Sequence, residues 1–474
     1  MQKSIKNILI RMLATSIVLS GIGTICFAQN PIIQTKYTAD PAPMVYKDTV
    51  FLYTSHDEDD AFGFKMQNWL LYTSTDMVNW TDHGIIGGVA EPYKTFSWAD
   101  GHDAWAPQCI FRSGKFYFYC PTISQGKMAI GVAVSTSPYG PFTDAIGKPL
   151  IFRKNPGDYD PTVFIDDDGQ AYLYWGGNGP CYYAKLNEDM ISISGDIQIA
   201  SIDFTGTPLE ASYTEGPWLW KKNNHYYLAW ASHCCPEGIG YAMSDSPTGP
   251  WKCKGTIMDG DKRSSGNHPG IIDYKGNSYV FGFNYAILKQ TMSKHYERRS
   301  ICLEQITYNA DGTIQKLPFW STTGVKQLGN MNPYNRVEAE TMAFSEGVKT
   351  DLVTEWERNI SWDKGKKIAD RLIITSIHNG DYIKVKGVDF SKGAASVEVS
   401  VAALFGGKIE IHTDKIDGQI LGTININTSG EGDIWKTIST PVNNIKGVHD
   451  LFFVFRGEKD LFNFDWWKFF AQEK

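Results

Sequence analysis

The chain has 474 residues, 42% hydrophobic and 14% aromatic, with 45 Lys and Arg against 52 Asp and Glu for a net charge of −7. That acidic balance, with no basic run, argues against nucleic acid or an anionic membrane as the main partner. Of eight cysteines, seven follow residue 28. An odd number spread over a long chain is no disulfide framework; Cys234 and Cys235 are neighbours without a CxxC partner elsewhere, which argues against zinc and leaves a bridge between them open.

Residues 1–28 place Lys3, Lys6 and Arg11 before an apolar stretch from Met12 to Ile25, and end on Ala28. This is the plan of a secretory signal peptide. It is too short and too one-sidedly flanked for a membrane span. Secretion across the inner membrane follows, to the periplasm, the cell surface or the medium; a lipoprotein reading through Cys26 ranks second, because Ile25 sits where a small residue is wanted. Removing the segment takes the net charge to about −10, and the remaining chain is long enough for two or three domains with their own cores.

From residue 29 one phrase is repeated five times. Asp40-Pro41 opens DPAPMVYKDTVFLYTS, Ala106-Pro107 opens APQCIFRSGKFYFYCPT, Asp160-Pro161 opens DPTVFIDDDGQAYLYWG, Glu215-Gly216-Pro217 opens EGPWLWKKNNHYYLAWAS, and His268-Pro269 opens HPGIIDYKGNSYVFGFN. Each is a short apolar run, a polar turn and an alternating aromatic run, which reads as a hairpin. The prolines at 41, 107, 161, 217 and 269 recur every 52 to 66 residues, a period that marks a propeller. WLLYTSTDMVNWTDHG, IGVAVSTSPYGPFTDAI, CYYAKLNEDMISISG and GIGYAMSDSPTGPWKCKG supply the second halves of four blades, and the fifth continues less regularly as RRSICLEQITYNADGTI. The sequence therefore predicts an all-β chain with a five-bladed β-propeller over residues 29–320.

The period stops after Ile314. Residues 321–336, STTGVKQLGNMNPYNR, are polar and turn-rich and read as a linker. Over residues 337–474, SVEVSVAAL, GGKIEIHTD, QILGTININT and HDLFFVFRG are short alternating strands at the spacing of a β-sandwich of jelly-roll type. Leu451 to Phe455 is apolar on both faces and is predicted to be a central strand. No long amphipathic helical pattern occurs.

Chemistry is expected where the repeat varies. In a propeller the first strand of each blade lines the axis, so the residues at the strand entrances, Asp40, Ala106, Asp160, Glu215 and His268, converge on one funnel. The residue before a proline is expected to be extended, and a proline at a strand start loses no ladder bond. A lone Asp-Pro is usually a turn signal. Three carboxylates in register around an apolar channel are costly unless used, and function is the favoured reading. A histidine alone is more often a satisfied core residue, and only its register singles out His268.

The five-blade pattern with Thr38-Ala39-Asp40-Pro41, Trp105-Ala106-Pro107, Asp158-Tyr159-Asp160-Pro161 and Glu215-Gly216-Pro217-Trp218 resembles glycoside hydrolase family 43 over about residues 30–325. The resemblance implies an inverting hydrolase acting on pentose-containing hemicellulose or arabinan, with Asp40 as general base, Glu215 as general acid, and Asp160 orienting the acid and raising its pKa. Such chemistry needs a protonated carboxyl on the leaving oxygen and a carboxylate activating water from the opposite face, about 6.5–9.5 Å apart. Which carboxylate is the acid comes from the resemblance and not from the residues themselves. His268 resembles the family's fifth-blade histidine, which helps hold a calcium or its waters in the channel; calcium's preference for oxygen implies a mostly water-coordinated ion or none. Arg299 resembles a late arginine that reaches the sugar or the acid, a role Arg298 is also placed to take. Trp105 reads either as an aromatic wall for the sugar or as a core residue beneath the second blade.

Residues 337–474 resemble a family 6 carbohydrate-binding module through Val337-Glu338-Ala339-Glu340, His378-Asn379-Gly380-Asp381-Tyr382-Ile383, Gly406-Gly407-Lys408-Ile409-Glu410 and Phe462-Asn463-Phe464-Asp465-Trp466-Trp467. That resemblance implies a structural calcium near Glu338, Glu340 and Asp465, and a sugar cleft with two facing aromatics and Asn463. The chain departs from the pattern: IITSIH carries no aromatic, and GEGD stands before Trp435 where a second stacking ring is usual. The expected function is release of α-L-arabinofuranosyl side chains from arabinoxylan of plant hemicellulose, with exo-β-1,4-xylosidase action as the nearest rival and non-hydrolytic glycan binding as a rival of another class. No organic cofactor is implied.

Overall fold

The structure is a computed structural model and describes residues 30–261, 267–292, 294, 297–356, 367–403, 405–428, 434–458 and 460–472. The signal peptide expected at residues 1–28 and the GEGD segment lie outside the described residues. Among the described residues helix is confined to a single α-helical turn-and-a-half at Ala286–Thr291 and one 3-10 turn.

The five repeats form five sheets. The first is Tyr37–Tyr46, Thr49–Asp57, Asn68–Ser74 and Trp80–Gly88, each strand pairing antiparallel with the next. The second is Gln108–Arg112, Lys115–Ser124, Lys127–Ser135 and Thr143–Asp144; the third Thr162–Ile165, Ala171–Trp175, Tyr182–Leu186 and Ile193–Ile199; the fourth Tyr213–Lys222, His225–Ser232, Gly238–Ser244 and Trp251–Met258. The fifth has three strands, Gly270–Tyr274, Asn277–Asn284 and Ser300–Ile306, matching the less regular fifth repeat. Its outer side is closed by the start of the chain, where Ile32 N donates to Ile301 O at 2.8 Å and Thr38 N to Arg299 O at 2.9 Å.

Middle strands such as Asn68–Ser74 and Gly238–Ser244 are buried along their whole length. Blades stacked face to face bury both faces of a sheet, which is why these runs are almost continuously apolar and aromatic. The hairpin turns obey local chemistry. Asn223 and Asn224 both take positive φ, 49° and 63°, the backbone that a two-residue turn requires and that Asn tolerates.

The C-terminal strands form two antiparallel sheets. One runs Lys349–Trp356, Lys367–Thr375, Asn463–Phe470, Ser396–Ala402, Trp435–Pro441, and the other Phe344–Glu346, Tyr382–Asp389, Val448–Arg456, Gly407–Thr413, Ile420–Ile426. Between them lies a core that includes Ile383, Val399, Ile409, Phe453, Phe464 and Trp467. Val448–Arg456 is central in its sheet and Leu451 to Phe455 are all buried, as their two-faced apolarity predicts.

The sandwich is joined to the first blade. Thr341–Met342 adds a fifth strand beside Trp80–Gly88. Asn79 Nδ2 donates to Lys386 O at 2.9 Å and receives Lys386 N on Oδ1 at 2.9 Å. The segment 321–336 is tied down on both sides: Leu328 N donates to Asp76 O, and Met331 N to Gly387 O.

Candidate active site

The strand entrances do converge. Asp40, Asp160, Glu215 and His268, together with Phe64, Met66, Trp105, Tyr159, Asn178 and Arg299, line one cavity of about 180 Å³. Ala106, the second-blade counterpart, is buried.

The backbone that delivers the carboxylates differs from the expectation. Asp40 and Asp160 are not extended; they take φ of 51° and 56°. In the fourth blade the residue before proline is Gly216, φ 62°, so Glu215 stands one residue earlier than the other carboxylates. The ladder register shifts at Ala39/Ala42 and again at Glu215/Trp218. These bulges turn the side chains into the channel, and the two aspartates hold a backbone that non-glycine residues seldom adopt. Gly216 also leaves room for the His268 ring, which a Cβ there would press at about 3 Å.

Arg299 is buried and serves two carboxylates. Its Nε and one terminal nitrogen bind the fully buried Asp57, each at 2.9 Å, and the other terminal nitrogen donates to Asp40 Oδ1 at 2.9 Å. Phe64 and Phe283 each lie 5.2 Å from its guanidinium carbon. Arg298, the other sequence candidate, is buried elsewhere and donates to Ala61 O. Ser55 Oγ donates to Asp40 Oδ2 at 2.6 Å, and His268 Nδ1 lies 3.6 Å from Asp40 Oδ1 and 3.9 Å from Asp160 Oδ2.

Burial raises the Asp40 pKa, but Arg299, His268 and Ser55 outweigh it and hold this carboxyl far below the usual range. Asp160 is pushed well up, first by burial and then by the anions Glu215 and Asp40, against the pull of His268. Burial likewise raises Glu215, with His268 and a hydrogen bond from Tyr159 opposing it. His268 itself is pushed up to about 9, because Asp160 and Asp40 overcome the cost of burial. The cavity thus holds one carboxyl whose pKa is held low and two whose pKa values are raised. That is the division between base and acid that hydrolysis of an acetal needs.

Sequence reasoning missed four contributors. Asp57 and Ser55 lie in the second strand of the first blade, where only their burial sets them apart. Tyr159 sits inside the Asp158-Tyr159-Asp160-Pro161 motif and donates to Glu215 Oε2 at 3.1 Å. Glu237, in a loop after the adjacent cysteines, is 3% exposed with Oε2 lacking a hydrogen-bond partner, and burial and Glu215 push it up to about 8. Cys234 and Cys235 are joined by a disulfide, the bridge left open by the sequence, whereas five other cysteines are free and buried.

Trp105 lines the cavity with its ring edge-on to Tyr159, centroids 5.6 Å apart. Asn463 lines a separate cleft on the sandwich with Thr375, Ser376, Ile377, Asp460 and Phe462, and among the described residues no pair of facing rings flanks it.

Among the described residues the one tight group of three potential ligands is Cys234, Cys235 and Glu237. Its sulfurs are bonded to each other, which leaves Glu237 as the anionic donor. The buried Glu237 Oε2 without a hydrogen-bond partner is the oxygen donor calcium prefers, and Glu237 and His268 lie close enough to feel each other's charge. On the sandwich the fit is poor. Both Glu338 oxygens accept from Arg336 at 2.8 and 2.6 Å, and Asp465 accepts from Arg371 at 2.7 Å and Arg336 at 3.4 Å. Glu340 is buried against the first blade, beside Tyr72, Trp80 and Asp82, and burial pushes it up to about 9.

Comparison with known proteins agrees with this geometry. The model of the glycosyl hydrolases family 43 matches residues 28–314, and that of the carbohydrate binding module (family 6) matches residues 338–471. The chain is 34% identical to an arabinoxylan arabinofuranohydrolase of Bacillus subtilis (strain 168), over 93% of this chain and 92% of the relative. A crystal structure of a family 43 arabinoxylan arabinofuranohydrolase from Bacillus subtilis in complex with cellotetraose superposes with a TM-score of 0.78 at 32% identity, over 94% of this chain and 97% of that one. A β-xylosidase/α-arabinofuranosidase from a compost microbial metagenome, in complex with xylotriose in a calcium-free form, superposes with a TM-score of 0.55 at 28% identity, over 61% of this chain and 97% of that one.

Proposed function

This chain belongs to glycosyl hydrolases family 43, and from that premise we propose that it is a secreted, inverting, exo-acting α-L-arabinofuranosidase that clears arabinofuranosyl side chains from arabinoxylan. The observation that carries the reading is the single cavity in which Asp40, paired with Arg299 and held at a low pKa, shares walls with Glu215 and Asp160, whose pKa values are raised. Its volume, about 180 Å³, suits one terminal sugar rather than a chain passing through.

In this mechanism Asp40 takes a proton from a water that attacks the anomeric carbon, while Glu215 gives its proton to the glycosidic oxygen departing from the opposite face. The bond to the leaving xylan breaks as the bond to water forms, and the configuration inverts. Asp40 ends protonated and Glu215 ionised, and exchange with solvent restores both. Burial and the charge of Asp40 keep Glu215 from ionising early. Trp105 forms an apolar wall for the ring.

Glu237 and, once its imidazole has released its proton, His268 would hold a calcium, and the ion would supply positive charge beside the carboxylate cluster. On the sandwich, Arg336 and Arg371 already neutralise Glu338 and Asp465. With an unflanked cleft at Asn463 and several hydrogen bonds to the first blade, we assign this domain a bracing role before a sugar-binding one.

A second reading, exo-β-xylosidase, is favoured by the compost relative, whose name carries both activities and whose match covers 61% of this chain. Chromatography of products from arabinoxylan and from unsubstituted xylo-oligosaccharides separates the two. Arabinose from the first and nothing from the second is expected; xylose from both would install the rival.

A further inference from the structure

The proposed mechanism needs Glu215 to present its proton on a particular oxygen, and the structure contains a relay suited to that task. The Tyr159 hydroxyl donates to Glu215 Oε2 at 3.1 Å, and Asn178 Nδ2 donates to that same hydroxyl at 2.8 Å. A phenol has one proton to give. With the Asn178 amide aimed at the phenolic oxygen, the Tyr159 proton is directed to Glu215.

The relay is built into the fold. Tyr159 is 5% exposed, its carbonyl accepts from Gly176 N at 2.9 Å, and its ring meets the edge of Trp105. Gly177 has no alternative in this setting, because a Cβ there would overlap the Tyr159 hydroxyl. Asn178 takes a left-handed backbone, φ 52°, and its N–H donates to Thr214 O at 3.1 Å, which ties the loop of the third blade to the residue before Glu215.

We propose that Tyr159 and Asn178 are positioning residues that reserve Glu215 Oε2 as an acceptor, so that the proton of the general acid is carried on Oε1; this rests on Glu215 being the acid. The chemistry follows. When the acid is neutral, Tyr159 makes an ordinary hydrogen bond to Oε2. As Oε1 passes its proton to the departing alkoxide, the carboxylate forms and the same hydrogen bond becomes charge-assisted, roughly twice as strong. The interaction therefore grows along the reaction coordinate, which is the kind that raises rate rather than binding. Tyr159 is not itself the donor to the sugar: burial and Glu215 keep its hydroxyl protonated far above the ordinary phenol range.

The test uses leaving groups of different demand. A 4-nitrophenyl arabinofuranoside departs with little protonation, whereas an arabinoxylo-oligosaccharide leaves as an alkoxide that needs it. Tyr159→Phe, Asn178→Ala and Glu215→Gln are compared on both in the full-length protein, with thermal melts to confirm folding. For Tyr159→Phe, kcat/KM on the oligosaccharide is expected to fall on the order of 10- to 100-fold, the range of a hydrogen bond to a charged group, and by at least about tenfold more than on the aryl substrate. Asn178→Ala shows a smaller imbalance of the same sign, and it decides the matter should Tyr159→Phe fold poorly. Equal losses on both substrates for Tyr159→Phe and Asn178→Ala, alongside an imbalance in Glu215→Gln, overturn the positioning role alone. No imbalance in Glu215→Gln removes the acid assignment and this inference with it.

Discussion

Replacing Arg299 by Met would withdraw one guanidinium from two buried carboxylates at once. Asp57 is fully buried and bonded to Arg299 by two 2.9 Å contacts, so on its own it becomes an uncompensated charge, at a cost of about 3–5 kcal/mol. Asp57→Asn in the same chain removes that charge and isolates the second effect. Asp40 loses its principal cation at 2.9 Å and keeps only His268 and Ser55. An Asp beside an Arg is typically depressed by about 1–3 pK units, or roughly 1.4–4 kcal/mol, which sets the scale of the change. A general base works ionised, so the acidic limb of kcat/KM follows the Asp40 pKa of the free enzyme. In the native protein that pKa lies below the unfolded value of about 3.9. Its contribution to stability is therefore present above that pH and fades as pH falls toward the native value. The assay is kcat/KM against pH for Arg299→Met/Asp57→Asn beside Asp57→Asn alone, with urea unfolding at each pH. The acidic limb is expected to move upward by about 1–3 pH units. A folded double variant with an unmoved limb would refute the argument that Arg299 holds Asp40 ionised for use as the base.

If Glu237 and His268 hold a calcium, chelation lowers the melting temperature of the native protein, added calcium restores it, and Glu237→Gln becomes indifferent to both; a native protein unmoved by chelator contradicts that site. Asn79→Ala removes both hydrogen bonds to Lys386 at the join of blade and sandwich. It should cost about 1–3 kcal/mol in urea unfolding and leave kcat/KM near that of the native protein. An unchanged unfolding midpoint would show that the two bonds contribute nothing to the join.

The propeller was legible because its signal is repeated: five prolines in register carry more weight than any one Asp-Pro, and face-to-face stacking leaves a continuous apolar mark on the strands. The same register pointed Asp40, Asp160, Glu215 and His268 toward one cavity, and all four line it. What stayed hidden depends on the third dimension. Asp57 and Glu237 look like ordinary loop and strand acids, and only burial beside Arg299 or Glu215 gives them meaning. The rule that a residue before proline is extended failed at Asp40, where the ladder register shifts, and at Asp160, just ahead of its strand; both take a left-handed backbone. In the sandwich, the resemblance to the binding module implied a calcium near Glu338, Glu340 and Asp465, but a resemblance does not show which side chains are already paired: Arg336, two residues before Glu338, and Arg371, from another strand, hold Glu338 and Asp465.

The most direct measurement follows the anomeric configuration of the sugar released from arabinoxylan by proton NMR in the first minutes of reaction. β-L-Arabinofuranose is expected as the first product from the α-linked side chain, with the α form growing in later by mutarotation. Initial release of the α form would contradict it, because it would require a carboxylate acting as nucleophile where Asp40 is held here as a base toward water.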